Sequence, residues 1–498
     1  MSKSLFSSYP NPPAERERRD TSVRELLRGS SSADSGLKSL GASFKRIGLL
    51  NDYLRIPYAN GSSFASQFFY RELKRRGHDV TVVGPEDPAA DAEELPETHL
   101  AMKALPLRMH PGVQLSMPKA KDFDDLVEAR FDAVVCQTSS ALMEYGVWLR
   151  RNQGVPLLCV NTVHLPSVYN TVLPDALNKS ALVNRIFQDH LIPFAERSTV
   201  EAFNSADGLV VLAPGMKKYW EARGVTVPIH VIPRAVEPKT FDRELREDPF
   251  PAHFARGSRV VVVCRHTREK EVTRLLNLFA TEVRPRCPEA TLTLVGDGPD
   301  HEEFIAQAER LGLADVTHFP GEVAIKDIAE WYGYADVFAY TSLSETYGQV
   351  VSEALWTGLP VVAFDDQMGV AGQISHGRDG FLLAPGPDTE EANREFGLHL
   401  VQLLQQPELR AGMGAEARRL ARHRSDPGQC VSRLYDALAS ARVNCSQKRP
   451  WESASKWSKV QPKIRMALLH GLVFGLGLLR KPVKLNRNGV RQQGWDTI

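Results

Sequence analysis

The chain is poor in the features that would mark most specialised classes of protein. It has only six cysteines in 498 residues, none in a CxxC pair. That excludes a disulfide scaffold and a cysteine-based zinc site, and it fits a reducing compartment. Charge of one sign is also missing: 61 Lys and Arg face 60 Asp and Glu, a net of +1. A dedicated nucleic-acid binder would carry a large basic excess. No apolar run reaches 18 residues, and the N-terminus MSKSLFSSYPNPPAERERRD has no apolar core of signal-peptide length. Neither a conventional spanning helix nor secretion is expected. A cytoplasmic protein is expected. The GxGxxG fingerprint of dinucleotide enzymes is absent, because Gly296-Asp297-Gly298 is followed by His301 where the third glycine would stand. There is no GxxxxGK[ST] loop either, and no DxD carboxylate motif in a cleft loop, Asp365-Asp366 being an adjacent pair.

What is present is a long alternation of short apolar runs and helical segments. Residues 1–43 hold eleven serines and a mixed charge run, and read as a disordered tail. From Lys45 the chain gives RIGLL, a loop through Ala59-Asn60-Gly61-Ser62-Ser63, a helix from Phe64 to about Arg76, then VTVVG. FDAVVCQ, VPLLCVN, GLVVLA and IHVIP continue as buried strands. A polar, proline-containing stretch at 234–257 separates these from a second series: RVVVVC, TLTLVG, VTHFPG, VFAYT and LPVVAF, again with helices between. Strand–helix alternation of this kind builds parallel sheets covered by helices. Two Rossmann-like, doubly wound α/β domains facing a cleft are expected, at 44–240 and 241–442, with 443–498 as a separate basic tail. Ligands of such sheets bind beyond the carboxyl ends of the strands.

The segment Ser342–Gly358, SLSETYGQVVSEALWTG, carries two carboxylates eight residues apart. On one helix they would be separated by roughly 12 Å. Thr-Tyr-Gly after Glu345 instead puts Glu345 in a loop and Glu353 inside the following helix. Carboxylates so placed can accept hydrogen bonds from sugar hydroxyls, and the helix N-terminus near Gly348 offers N–H groups to phosphate. Taken alone, the spacing also suits two solvated surface charges.

The order of motifs resembles family-4 glycosyltransferases of the retaining GT-B type over about residues 45–442. Arg265 with Glu269-Lys270 matches the Gly-Arg…Glu-Lys element, and Val295–Pro299 the Val-Gly-x-Gly turn. HFPGEV, Ala335–Phe338, the glutamate pair, Gly358–Val362 and Asp379-Gly380 follow in the family's order. The resemblance implies a nucleotide-sugar donor and no metal or other cofactor. It implies that Arg265 and Lys270 neutralise the leaving diphosphate, a task suited to a guanidinium and an ammonium at one point. It implies Glu345 on the donor sugar, Glu353 on the ribose, and backbone near Glu322 and Val323 at the base. His164, after VPLLCVN, matches a family histidine near the reacting centre, and Gly61 matches the phosphate-approaching glycine loop. Met368 departs from the family, which has Gly-Gly at Met368-Gly369. A nucleotide-sugar epimerase, a soluble or polysaccharide acceptor, and a silent nucleotide-sugar binder are the competing readings.

The tail adds an expectation about the acceptor. Residues 443–498 carry eleven basic and two acidic residues, three of the seven tryptophans (Trp451, Trp457, Trp495), and the 14-residue apolar stretch Met466–Leu479. As a helix this stretch spans about 21 Å, short of a ~30 Å hydrocarbon core. It reads as a segment lying in one leaflet, with tryptophans at the headgroups and cations on anionic lipid. The apolar loop Leu105–Pro118 is a second candidate contact. A membrane lipid such as diacylglycerol is therefore the expected acceptor, reached from the inner face of a membrane. No nucleic-acid partner is expected.

Overall fold

The structure is a computed structural model. It describes residues 44–447, except 53, 55–60, 89, 91–93, 107–113, 117–118, 139–140, 164–180 and 385–388, and it also describes Trp495. The chain forms two compact units. Of the described residues, one holds those of 44–235, 344–347 and 427–447 with Trp495, and the other those of 236–343 and 348–426.

The strands of the first unit are β1 (Arg46–Leu50), β2 (Asp79–Pro85), β3 (His99–Met102), β4 (Ala104–Pro106), β5 (Gln114–Ser116), β6 (Ala133–Cys136), β7 (Leu157–Val160), β8 (Gly208–Val211) and β9 (Ile229–Val231). Seven of them form one sheet in the order β3-β2-β1-β6-β7-β8-β9, every pair parallel. Strands buried on both faces must be apolar throughout, and AVVC, LLCV and GLVV are. The order reverses between β1 and β6, so the crevice of this sheet opens at their carboxyl ends. The helix Pro427–Gln447 returns to this unit and packs on β7 and β8.

Three details differ from expectation. The first helix begins at Gly61, not Phe64, so Gly61 belongs to the opening turn, where backbone N–H groups have no helical acceptor. The expected apolar loop Leu105–Pro118 is partly an antiparallel ribbon, β4 against β5, with Leu105 opposite Leu115. Trp495, expected at lipid headgroups, is fully buried in the core of the first unit. Its Nε1 donates to the Leu54 carbonyl at 2.8 Å, and its ring meets Tyr70 edge-on. An indole with a hydrogen-bonded socket has nothing to gain from an interface. The rest of the tail from 448 lies outside the described residues, Trp451, Trp457 and Met466–Leu479 included.

The second unit has β10 (Arg259–Val263), β11 (Thr291–Val295), β12 (Thr317–Gly321), β13 (Val337–Tyr340), β14 (Val361–Phe364) and β15 (Gly380–Leu383). Their order is β12-β11-β10-β13-β14-β15, all parallel. This is a doubly wound sheet with its switch point between β10 and β13. The core is made by those strands and by Leu275, Leu276, Phe279, Leu355, Phe396 and Leu400 from the helices around them.

Candidate active site

The sheet of the second unit brings most of the predicted residues to one edge. Arg265 and Lys270 follow β10, Glu322 and Val323 follow β12, and Gly348 and Glu353 follow β13. All are carboxyl-terminal to their strands, on either side of the switch point, where such sheets bind ligands.

Arg265 and Lys270 are both half-buried. The chain between them is tightly specified. Thr267 N donates to Arg265 O at 2.9 Å and Lys270 N to Thr267 O at 3.0 Å. Arg268–Lys270 forms a 3₁₀ turn that ends at Glu271 with φ of 54°. A non-glycine residue in the left-handed region is strained, and such strain persists only where neighbours hold it. Here Thr341, from the end of β13, donates its hydroxyl toward both Lys270 O (3.0 Å) and Glu271 O (3.1 Å).

The Gly296-Asp297-Gly298 turn serves this same segment. Gly296 has φ of +134°, and a Cβ there would collide with the Cys264 carbonyl, as one on Gly298 would with that of His266. The glycines let the turn lie directly on Cys264–His266, joined by Cys264 N to Val295 O (3.0 Å) and His266 N to Asp297 O (2.9 Å). The absence of a third glycine is thus explained: this turn packs backbone on backbone.

Gly348, with φ of 78°, caps the helix Gln349–Thr357, directing its positive end toward the strand edge. Glu353 lies inside this helix and is 7% exposed. Tyr332 donates its hydroxyl to Glu353 Oε2 at 2.9 Å. Burial, and next the adjacent carboxylate, hold the Tyr332 phenol well above its usual range, so the proton stays on tyrosine. The loop after β14 is fixed by Asp366, whose buried carboxylate accepts from the N–H groups of Met368, Gly369, Val370 and Ala371 at 2.9–3.1 Å.

Glu345 is placed differently. Ser344–Tyr347 belongs to the first unit. Thr346 donates its hydroxyl to Thr162 O at 3.1 Å, and Tyr347 to Arg234 O at 3.4 Å. Thr162 stands two residues before His164, at the carboxyl end of β7. His164 itself lies outside the described residues. The same end of the first sheet carries a buried polar chain that sequence reasoning missed: Asn51 Nδ2 donates to Ser66 Oγ (2.6 Å), and Ser66 Oγ to Gln137 Oε1 (2.7 Å). It ties β1, the Gly61 helix and β6 together.

Among the described residues no three His, Cys, Asp or Glu side chains are grouped to hold a metal ion. No helix among them is long and apolar enough to cross a membrane.

Comparison with known proteins gives the following. Residues 247–420 match the family described as Glycosyl transferases group 1, and residues 65–240 match Glycosyltransferase Family 4. A GDP-mannose-dependent alpha-mannosyltransferase of Mycobacterium tuberculosis is 29% identical over 78% of this chain and 96% of its own length. An alpha-monoglucosyldiacylglycerol synthase of Streptococcus pneumoniae is 24% identical over 64% of this chain and 70% of its own. Among solved structures, Anabaena HepE in complex with UDP and glucose shares the fold with a TM-score of 0.58 at 20% identity, over 80% of this chain and 100% of that one.

Proposed function

We propose that this chain, which belongs to the family-4 glycosyltransferases of the GT-B fold, transfers a hexose from a UDP- or GDP-sugar to a hydroxyl of a membrane lipid such as diacylglycerol. The observation that carries the donor half of this reading is the edge of the second sheet. Two cations follow β10, and a tyrosine-held carboxylate follows β13 in a helix whose positive end faces that edge.

In this reading Arg265 and Lys270 meet the diphosphate. Their charge counts most as the sugar–oxygen bond breaks and negative charge gathers on the leaving phosphate. Glu353 accepts from the ribose hydroxyls, and backbone at Glu322 and Val323 meets the base. Glu345 binds hydroxyls of the sugar, and His164 stands near the reacting centre. The N–H groups of the first helical turn at Gly61 approach the phosphates. The GDP-mannose-dependent relative supports a guanine donor, and the glycolipid-forming relative supports a lipid acceptor. The basic residues of the tail, with Trp451 and Trp457, support a peripheral position on an anionic membrane surface.

The test is a donor panel. Full-length protein is incubated with UDP-glucose, UDP-galactose or GDP-mannose and vesicles containing diacylglycerol, and labelled sugar is counted in the organic phase. Label in that phase with one donor supports the reading. Nucleotide release with label reaching only soluble sugars overturns the lipid acceptor, and no release with any donor overturns the donor assignment.

A further inference from the structure

The residue after Arg265 is gripped by both its backbone and its side chain. His266 is fully buried. Its N–H donates to Asp297 O at 2.9 Å, and its carbonyl accepts from Asp300 N at 3.1 Å. Its ring stacks on that of His301, with centroids 4.8 Å apart and planes 15° apart. The two Nδ1 atoms are 2.7 Å apart. Phe304 and Phe319 close the remaining edges at 5.6 and 6.3 Å. His301 opens the helix His301–Arg310 directly after the glycine turn.

Two Nδ1 atoms at this distance share one hydrogen, so one ring donates and the other accepts. His266 Nε2 is buried with no hydrogen-bond partner among the described residues. An orphaned buried N–H is rarer than an under-used acceptor. We therefore assign the hydrogen to His266 Nδ1, leaving Nε2 bare, and His301 accepts. Burial, and next the neighbouring ring, lower the His266 pKa to about 3, so it stays neutral at ordinary pH.

An apolar pair would fill this site without leaving a buried nitrogen unpaired. A local rule broken beside a functional residue marks a demand other than stability. What a hydrogen bond supplies and an apolar contact does not is direction. We propose that the His266–His301 hydrogen bond is a positioning device for Arg265, fixing the peptide that carries the guanidinium against the Gly296–Asp300 turn before the donor arrives. The inference rests on the reading of Arg265 as a ligand of the leaving diphosphate. His266 and His301 act through Arg265 and touch no substrate.

The experiment uses the full-length protein, with nucleotide release from UDP-glucose and GDP-mannose and calorimetric titration of UDP and GDP. His301→Phe keeps the stacked ring and removes the acceptor. His301→Asn places an acceptor oxygen near the lost Nδ1. His301→Phe is expected to lower kcat roughly 10–100-fold, with a smaller change in KM, as a misplaced preorganised group does. Where turnover with these donors is too slow to follow, the same loss is read in UDP or GDP affinity. His301→Asn is expected to recover most of that loss. In an Arg265→Ala background His301→Phe should cost nothing further. Should His301→Phe not fold, His266→Asn, whose amide N–H replaces Nδ1–H, is compared with His266→Leu. Wild-type kcat and affinity in His301→Phe, no recovery in His301→Asn, or an equal loss in the Arg265→Ala background overturns the inference. Wild-type turnover in Arg265→Ala alone overturns the site reading beneath it instead.

Discussion

Tyr332→Phe removes one oxygen and keeps the ring. Phe241 and Phe338 pack that ring at centroid distances of 6.1 and 5.8 Å, and the replacement phenyl ring retains those contacts. What is lost is the 2.9 Å hydrogen bond to Glu353 Oε2. The tyrosine is 1% exposed and the glutamate 7%, so water does not replace the hydroxyl. A hydrogen bond to a charged acceptor contributes about 1.5–3 kcal/mol, and urea unfolding should register a loss of that size. If Glu353 holds the ribose, the freed carboxylate loses its orientation toward the nucleotide as well. UDP or GDP affinity should then fall roughly ten- to hundredfold. Because a ribose contact exists in ground and transition states alike, kcat at saturating donor should change little. Calorimetric titration and initial rates measure both. A variant that loses stability but keeps its nucleotide affinity refutes the ribose role and leaves Tyr332–Glu353 as a core pair. A variant with unchanged stability refutes the premise that the hydroxyl secures a buried carboxylate.

Four further outcomes are expected. Arg265→Ala and Lys270→Ala should each lower kcat about 10²–10³-fold while leaving the melting temperature nearly unchanged, because in the proposed reading each charge acts mainly on the leaving diphosphate; wild-type rates in both would end that assignment. Gly298→Ala should destabilise by about 1–3 kcal/mol, since its Cβ meets immovable backbone at His266, whereas Gly312→Ala, open on all sides with φ of +68°, should cost only the left-handed backbone penalty of about 1 kcal/mol; equal turnover in the two would show that the close approach does not matter to the site. His266 is held neutral in the fold with a pKa near 3, so the unfolded chain binds the extra proton and stability falls as pH drops below about 6.5; between pH 7.5 and 5 this amounts to about 2 kcal/mol, and His266→Asn should lack that share of the pH dependence in urea titrations. A chain ending at residue 447 should no longer float with anionic vesicles at low salt while the full chain does; because Trp495 is buried, the shortened chain should also be less stable, by up to about 3–5 kcal/mol.

The parts of the fold that could be read in advance are those whose cause is local. After Arg259, the VVVV of β10 and the VFAY of β13 are apolar throughout because helices cover both faces, and each is bounded by turn residues. The helix Pro407–Arg424 escaped notice for the opposite reason. Its buried face is Met413, Gly414, Ala417, Leu420 and Ala421, and it is otherwise rich in arginine. Such a face packs by closeness: a Cβ on Gly414 would collide with the Gly358 carbonyl. Hydrophobic periodicity does not register a contact made through small residues.

In the candidate site, strand ends were legible and side-chain pairings were not. Arg265, Lys270 and Glu353 were singled out through the family resemblance, and each lies carboxyl-terminal to a strand. The partners that hold them are distant in sequence: Thr341 lies 71 residues from Lys270, Tyr332 21 from Glu353, and His301 35 from His266. No spacing rule links such pairs, because the sheet order creates them: β10 lies between β11 and β13, and so the ends of both neighbours reach the Arg265–Lys270 segment. The tail shows the converse error. Composition grouped Trp495 with Trp451 and Trp457 as interfacial residues, yet its position is decided by Leu54 and Tyr70, more than 400 residues earlier. A residue's chemistry is visible in the sequence, whereas its use depends on which strand ends the topology makes neighbours.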